Sequence, residues 1–217
     1  MKKIKIAVIG YKGKMGSAVF NALKKEYEVI GIGKGDSFDD SVSTVVDFAS
    51  AESSVKISKK CAQKNIPLVI GSTGQTEEQL DEIKEASTFV PILMAGNFSM
   101  GVSCLKNALD ALIIKDAQDI VVFEKHHREK KDAPSGTAKE IAHFIEQNFN
   151  KAVGVIFERG GKELGTHVVD IYYENEVVSL SHTVFSREAF VQGVKKAVEF
   201  VLDCKNNGLY GMQDVKM

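Results

Sequence analysis

Residues 4–16 read IKIAVIGYKGKMG, an apolar, β-branched run that breaks into three glycines, Gly10, Gly13 and Gly16, spaced G-x-x-G-x-x-G. The run is too short for a helix and reads as a strand, whereas the stretch after it, about Met15–Lys25, has helical spacing. A glycine turn between strand and helix lets the backbone approach a pyrophosphate, whose charge is met by the free N–H groups and dipole of the helix N-terminus. Lys12 holds the place of the second glycine of the commoner G-x-G-x-x-G, so the pattern alone also fits an ordinary strand-to-helix turn.

The rest of the first hundred residues supports the nucleotide reading. Short Val/Ile-rich runs, YEVIGIG, TVVDFA, PLVIGSTG and FVPILMAGNF, alternate with helical stretches at about Glu52–Lys64 and Thr76–Ala86. That order predicts an α/β domain with a parallel sheet buried on both faces by crossover helices. The strand ends then place Gly71, Ser72 and Thr73, and Ala95, Gly96, Asn97 and Phe98, along the edge that holds the glycine turn. Ligands of open α/β sheets bind at this edge. About twenty residues past the glycines, an acid would accept from an adenosine ribose and a cation would suit a 2′-phosphate. Lys34 falls nearest, with Asp36 two residues on, a lean toward NADPH or use of both cofactors that a solvated surface lysine explains equally well.

Composition narrows the class of partner. With 44% hydrophobic and 26% charged residues and a formal net charge of −1, the chain has no global attraction to nucleic acid or anionic lipid. Cys61, Cys104 and Cys204 are odd in number and far apart, which suggests neither a disulfide framework nor a zinc site and points to a reducing, cytoplasmic compartment. The apolar part of MKKIKIAVIG is too short for a signal peptide or a membrane span. No repeat or long linker appears, so a domain boundary must be a crossing of the chain between sheets.

A second stretch, EKHHREKKDAPSGTA at 124–138, carries the chemistry. DIVVFE, Asp119–Glu124, reads as a strand, on which His126 and His127 diverge to opposite faces if extension continues, so one metal held by both is not expected. The basic run Lys125–Lys131 is interrupted by Glu129 and Asp132 and lacks interleaved aromatics, which disfavours nucleic acid. Ala138, Ile141, Ala142, Ile145 and Phe149 recur at helical spacing, which places Ser135, Gly136 and Thr137 at the first turn of a helix, after Pro134 and with Asp132 as a candidate cap. The free N–H groups of that turn form an anion site, Gly136 admits a carboxylate close to the backbone, and Lys130 and His127 add positive charge just upstream. A capped helix after a charged loop is the plain alternative.

VIGYKGKMG, VVDFAS, GSTG, NFSMGV, HHREKKDAPSGTA, RGGKELGTHVV, SREAF and GLYGMQDV run nearly end to end along the chain. Together they resemble the dihydrodipicolinate reductase family, or 4-hydroxy-tetrahydrodipicolinate reductases, of bacterial lysine and diaminopimelate biosynthesis. The H-H-x-x-x-K-x-D-A-P-S-G-T segment is the specific part. The resemblance implies a Rossmann-type domain of residues 1–98 and 187–217, with an inserted α+β domain of residues 99–186 built on a mixed sheet, for which HVVDIYY and EVVSLSHTVF are strand candidates. That domain would bind substrate and join a homotetramer. The segment between the second and third strands, KGDSFDDSVS, is shorter than in many family members, which leaves Lys34 the least secure cofactor contact.

The resemblance also implies roles. NADPH and/or NADH would be held by Gly10, Tyr11, Lys12, Gly13, Lys14, Met15 and Lys34, by Gly71, Ser72 and Thr73, and by Ala95, Gly96, Asn97 and Phe98. His126 would be the proton donor/acceptor and Lys130 the second acid, with His127, Ser135, Gly136 and Thr137 on a small dicarboxylate and Arg159 and Arg187 assisting. No metal, nucleic acid or membrane is implied. Two other readings remain open. A dehydrogenase for another small acid leaves the Ser-Gly-Thr helix start without a dicarboxylate to hold, and a non-catalytic sensor of nicotinamide redox state would bind reduced cofactor without turnover.

Overall fold

The computed structural model describes residues 4–33, 37–112 and 114–215. In chain order the elements are β1 (Lys5–Ile9), α1 (Lys14–Leu23), β2 (Glu28–Ile32), β3 (Thr44–Asp47), α2 (Ala51–Lys64), β4 (Leu68–Ile70), α3 (Glu77–Ser87) and β5 (Pro91–Met94). There follow α4 (Met100–Asp110), β6 (Asp119–His126), α5 (Gly136–Phe149), β7 (Gly154–Arg159), β8 (Thr166–Tyr172), β9 (Val177–Thr183), α6 (Glu188–Asp203) and β10 (Gly208–Tyr210). The chain divides into two units, Met1–Phe98 with Phe190–Met217, and Ser99–Ala189.

The first unit is a six-stranded parallel sheet in the order β10-β5-β4-β3-β1-β2. Its central strands bury both faces, as their Val/Ile runs predict: Ile6, Ala7, Val8, Val45, Val46, Leu68, Val69 and Ile70 are fully enclosed. From β1 the chain steps outward to β2 and then returns past β1 to β3, so the direction of winding reverses between β1 and β3 and opens a crevice at their C-terminal ends. The body of α6 closes on this unit so tightly that a Cβ on Gly193 would lie 1.6 Å from the Phe98 carbonyl oxygen. Any larger residue there would force the helix off the NF turn.

The second unit is a four-stranded mixed sheet, β7-β6-β8-β9, in which β6 pairs parallel to β7 and antiparallel to β8. The crossover from β6 to its parallel neighbour is α5, and the side chains of α4 and α5 meet alternate strand residues in one core that includes Leu105, Leu109, Ile120, Val122, Ile141, Ile145, Val169 and Ile171. The outward face is different. Ile156, Tyr172 and Val177 on it are 55%, 40% and 49% exposed, beside half-buried Val121, Phe123 and Val168.

Three local readings need correction. β6 runs on to His126, two residues past the expected end, so both Glu124 and His126 face the helices. The helix after the basic run is capped by Ser135, whose hydroxyl accepts from the Ala138 N–H, and not by Asp132. α4, β7 and β10 were not anticipated, because the first mixes Ser, Gly and Lys into its apolar pattern and the other two are edge strands.

Candidate active site

At the C-terminal edge of the first sheet the glycine turn has the shape the sequence requires. Gly10 takes φ +74, where a Cβ would sit 2.7 Å from the Phe48 carbonyl oxygen, and a Cβ on Gly16 would fall 2.1 Å from the Gly10 oxygen. α1 can therefore start directly against the end of β1. Its N-cap is Gly13 with no side-chain cap bond, whereas α2, α3, α4 and α5 carry Ser50, Thr76, Ser99 and Ser135 there. Uncapped first-turn N–H groups behind a turn that has no Cβ at Gly10 and Gly13 form a cradle that fits a pyrophosphate. Gly71–Thr73 and Ala95–Phe98 follow β4 and β5 on the same edge, as the sequence placed them. Lys34 lies outside the described residues.

A buried acid that sequence reading passed over organises this edge. Asp47, fully enclosed at the end of β3, accepts from the Ala49 N–H at 2.9 Å and the Ser54 hydroxyl at 2.7 Å. Ser54 in turn contacts the Ser72 hydroxyl, which also accepts from Gln75 at 3.1 Å. Burial raises the Asp47 carboxyl above its usual value, with the Ser54 and Ala49 bonds opposing. The network ties the loop after β4 to β3, so Ser72 (8% exposed) supports the edge from within.

In the second unit Glu124 is fully buried and saturated with donors. Arg159 reaches it with Nη1 at 3.0 Å and Nη2 at 2.6 Å, the Ser135 N–H donates at 2.9 Å, and His126 Nδ1 meets the same carboxylate. Burial alone would raise the Glu124 carboxyl, but Arg159, Ser135 and His126 outweigh it and hold it below the usual range. The Nη groups of Arg159 also bond the Asp132 and Glu158 carbonyls. Both Nη groups of Arg159 are thus engaged within the protein.

His126, 6% exposed, is fixed at Nδ1, which leaves Nε2 for chemistry. Gly165 leaves it room, since a Cβ there would stand 2.7 Å from Nε2. His127 begins the loop instead and lines a cleft of about 690 Å³ with Arg128, Glu129, Gly161, Lys162 and Arg187. Lys130 Nζ bonds Asp132 Oδ1 at 2.8 Å. That bond, followed by smaller contributions that include the Gly136 N–H, keeps the Asp132 carboxyl below its usual value. An incoming carboxylate would find these two donors already gathered around an acid.

Two more histidines, absent from the expected site, share the helix-facing side. His167 meets His126 edge-on at 5.2 Å and stacks on His182 at 5.9 Å. Burial is the main cause that lowers all three, His167 to about 4. Each is therefore neutral in the folded protein at a pH where the unfolded chain, with histidine pKa ~6.5, binds protons. The unfolded state then holds more protons below that pH, so stability should fall as pH drops from about 6.5 toward 4. Urea unfolding at pH 7 and pH 5 checks this; an unchanged midpoint would contradict it.

These features define a dinucleotide-binding α/β protein whose second unit holds a buried histidine against a buried carboxylate. Residues 29–98 match the family model for the dihydrodipicolinate reductase N-terminus and residues 101–215 that for its C-terminus, so the chain belongs to the dihydrodipicolinate reductase family. It is 34% identical to a 4-hydroxy-tetrahydrodipicolinate reductase of Alkaliphilus oremlandii, over 97% of each chain, and 36% identical to one of Caulobacter vibrioides, over 98% of this chain and 96% of that one. A dipicolinate-bound dihydrodipicolinate reductase from Paenisporosarcina sp. TG-14 shares the fold with a TM-score of 0.81 at 20% identity, covering 99% of this chain and 100% of that one.

Proposed function

We propose that this protein catalyses the NAD(P)H-dependent reduction of 4-hydroxy-tetrahydrodipicolinate to tetrahydrodipicolinate, with loss of water, in lysine and diaminopimelate biosynthesis. The observation that carries the reading is the Glu124-held His126 on the unit where Lys130 and the first turn of α5 offer charge and N–H donors to a dicarboxylate. When bound at the glycine cradle, a reduced nicotinamide supplies the hydride. The protein's own residues do the rest. Gly136 and Thr137 receive one carboxylate, which takes over from Asp132 as partner of Lys130, while His127 approaches from the loop. Ser135, whose hydroxyl and N–H are both engaged inside the fold, shapes the turn without touching the ligand. His126 delivers a proton from Nε2. Burial lowers its proton affinity, and the negative charge of the dicarboxylate restores it on binding. The condensation product of pyruvate and aspartate semialdehyde, offered with NADPH and with NADH, tests the assignment; no oxidation of either cofactor would refute it.

The cofactor loop and the open face of the second sheet extend the proposal. Lys34 partners a 2′-phosphate, so Lys34→Asp should weaken NADPH binding by on the order of tenfold and NADH binding much less. Equal losses in fluorescence titrations would remove Lys34 from the site. The exposed Ile156, Tyr172 and Val177 fit burial against a second copy, in a homotetramer of D2 symmetry. Light scattering at micromolar concentration should give four times the chain mass; a monomer would contradict it. Among the described residues no helix is long and apolar enough to cross a membrane, and the dispersed cysteines support a cytoplasmic enzyme.

A further inference from the structure

His167 has no part in the scheme above, yet it closes a circuit around the proposed proton donor. Glu124 accepts from His126 and from the Ser135 N–H, Ser135 Oγ lies 3.4 Å from His167 Nε2, and the His167 ring returns edge-on to His126. Glu124, Ser135, His167 and His126 are 0%, 1%, 2% and 6% exposed, so water does not compete within this ring of contacts. They come from β6, from β8 and from the cap of α5.

The cap fixes the protons. Ser135 Oγ accepts from the Ala138 N–H at 3.2 Å, and among the described residues His167 Nε2 is the acceptor within reach of its own O–H proton, so the arrangement that satisfies the hydroxyl has His167 Nε2 accepting. The ring proton then resides on Nδ1, an atom that is buried with no hydrogen-bond partner among the described residues. An unsatisfied buried N–H destabilises the fold, a cost that an aliphatic side chain in its place would not incur. The charged and titratable groups facing His167 are His126 on β6, His182 on β9, Glu124 on β6 and Lys130 in the loop after β6. His126, His182 and Lys130 oppose a charge on the ring and only Glu124 favours one, and burial, the largest cause, opposes it as well.

We propose that His167 is a positioning residue of the dicarboxylate site: as an Nδ1–H imidazole it fixes the Ser135 hydroxyl, and through it the first turn of α5, in register with the Glu124-held ring of His126. This rests on the proposed reaction. Carboxylate binding at the helix start and the placement of the proton donor are then one event, because both hang on the same four side chains.

Two substitutions separate this role from mere packing. His167→Gln keeps an acceptor for the Ser135 hydroxyl and His167→Leu removes it. Pyridine-2,6-dicarboxylate, the dipicolinate named for the Paenisporosarcina enzyme, is the probe, titrated by calorimetry, with NADPH fluorescence and steady-state kinetics alongside. His167→Leu should weaken the dicarboxylate and raise KM by on the order of tenfold, with NADPH affinity unchanged, and His167→Gln should recover most of the loss. In ¹⁵N spectra of histidine-labelled wild type at pH 7, His167 should be the neutral Nδ1–H form. Wild-type dicarboxylate affinity in His167→Leu, equal loss in both variants, or an Nε2–H or cationic ring overturns the proposal. If His167→Leu fails to fold, the spectrum and the near-normal binding expected of His167→Gln decide it. A wild-type protein that neither binds the dicarboxylate nor reduces the imine defeats the functional reading itself, and this inference with it. Binding and turnover that survive the loss of His167 defeat only the inference.

Discussion

His126→Ala and Lys130→Ala should each lose turnover by on the order of hundreds-fold while reduced cofactor binds as before, since general acid–base help is worth ~10²–10⁴-fold and belongs mainly to the transition state. Gly136→Val should behave differently. A Cβ built there meets nothing within 4 Å, so the branched side chain would leave the fold intact and stand where the carboxylate must approach. KM should rise first, with turnover less affected. Steady-state kinetics on the three variants, with NADPH titrations as a control on folding, make the comparison. Near-normal turnover in both alanine variants together with an unchanged KM in Gly136→Val would show that the histidine, the lysine and the helix start take no part in the reaction.

Glu124→Ala should be the most destabilising change in the second unit. It removes an acceptor that Arg159, His126 and the Ser135 N–H all share, leaving the Arg159 guanidinium, with a side chain only 15% exposed, without its counter-charge. Breaking a buried pair on one side costs about 3–5 kcal/mol, enough to lower Tm by many degrees. Glu124→Gln is the finer probe, because it preserves shape and removes the charge. The folded-state carboxyl of Glu124 is lowered, so the stability it contributes is present above its unfolded pKa of ~4.3 and is lost as pH falls through the folded value. The deficit of Glu124→Gln relative to wild type should therefore narrow in acid. A deficit that stays constant from pH 7 to pH 3 in urea titrations would mean that the charge is not what matters. Turnover in Glu124→Gln should also fall sharply even where the protein is folded, since an amide no longer enforces the His126 tautomer that leaves Nε2 toward the ligand.

The first sheet was legible because its signals are local. A buried parallel strand is a Val/Ile run, its crossover helix has a 3.6-residue period, and the elements from β1 to β5 follow that alternation with ends shifted by only a few residues. The glycine turn was legible for the same reason: Gly16 is needed by its contact with Gly10 inside the turn, and the positive φ of Gly10 is local too, although the backbone it must clear, at Phe48, comes from the end of β3. In the second unit the helix start at Ser135–Thr137 was readable from short spacings, whereas the pairing of Arg159, expected to assist with the carboxylates, to Glu124 was not. Nothing near residue 159 in the sequence signals that, because the partner lies on the neighbouring strand.

Glu124 shows how close a local signal can come. It stands two residues before His126, and period-2 alternation puts both on one face, so the pair could have been found once β6 was extended by a single turn of the pleat. His167 could not. It reaches His126 only because β8 pairs antiparallel to β6, and it reaches Ser135 only because α5 returns over that face. The sequence by itself determined the alternating strands and helices from β1 to β5, the glycine turn between β1 and α1, and the helix start after the basic stretch, with His126 and Lys130 shortly before it. Only the tertiary structure decided which charges are spent on each other and which protons are held where, since burial and the partners that set a side chain's protonation come from residues far apart in the chain.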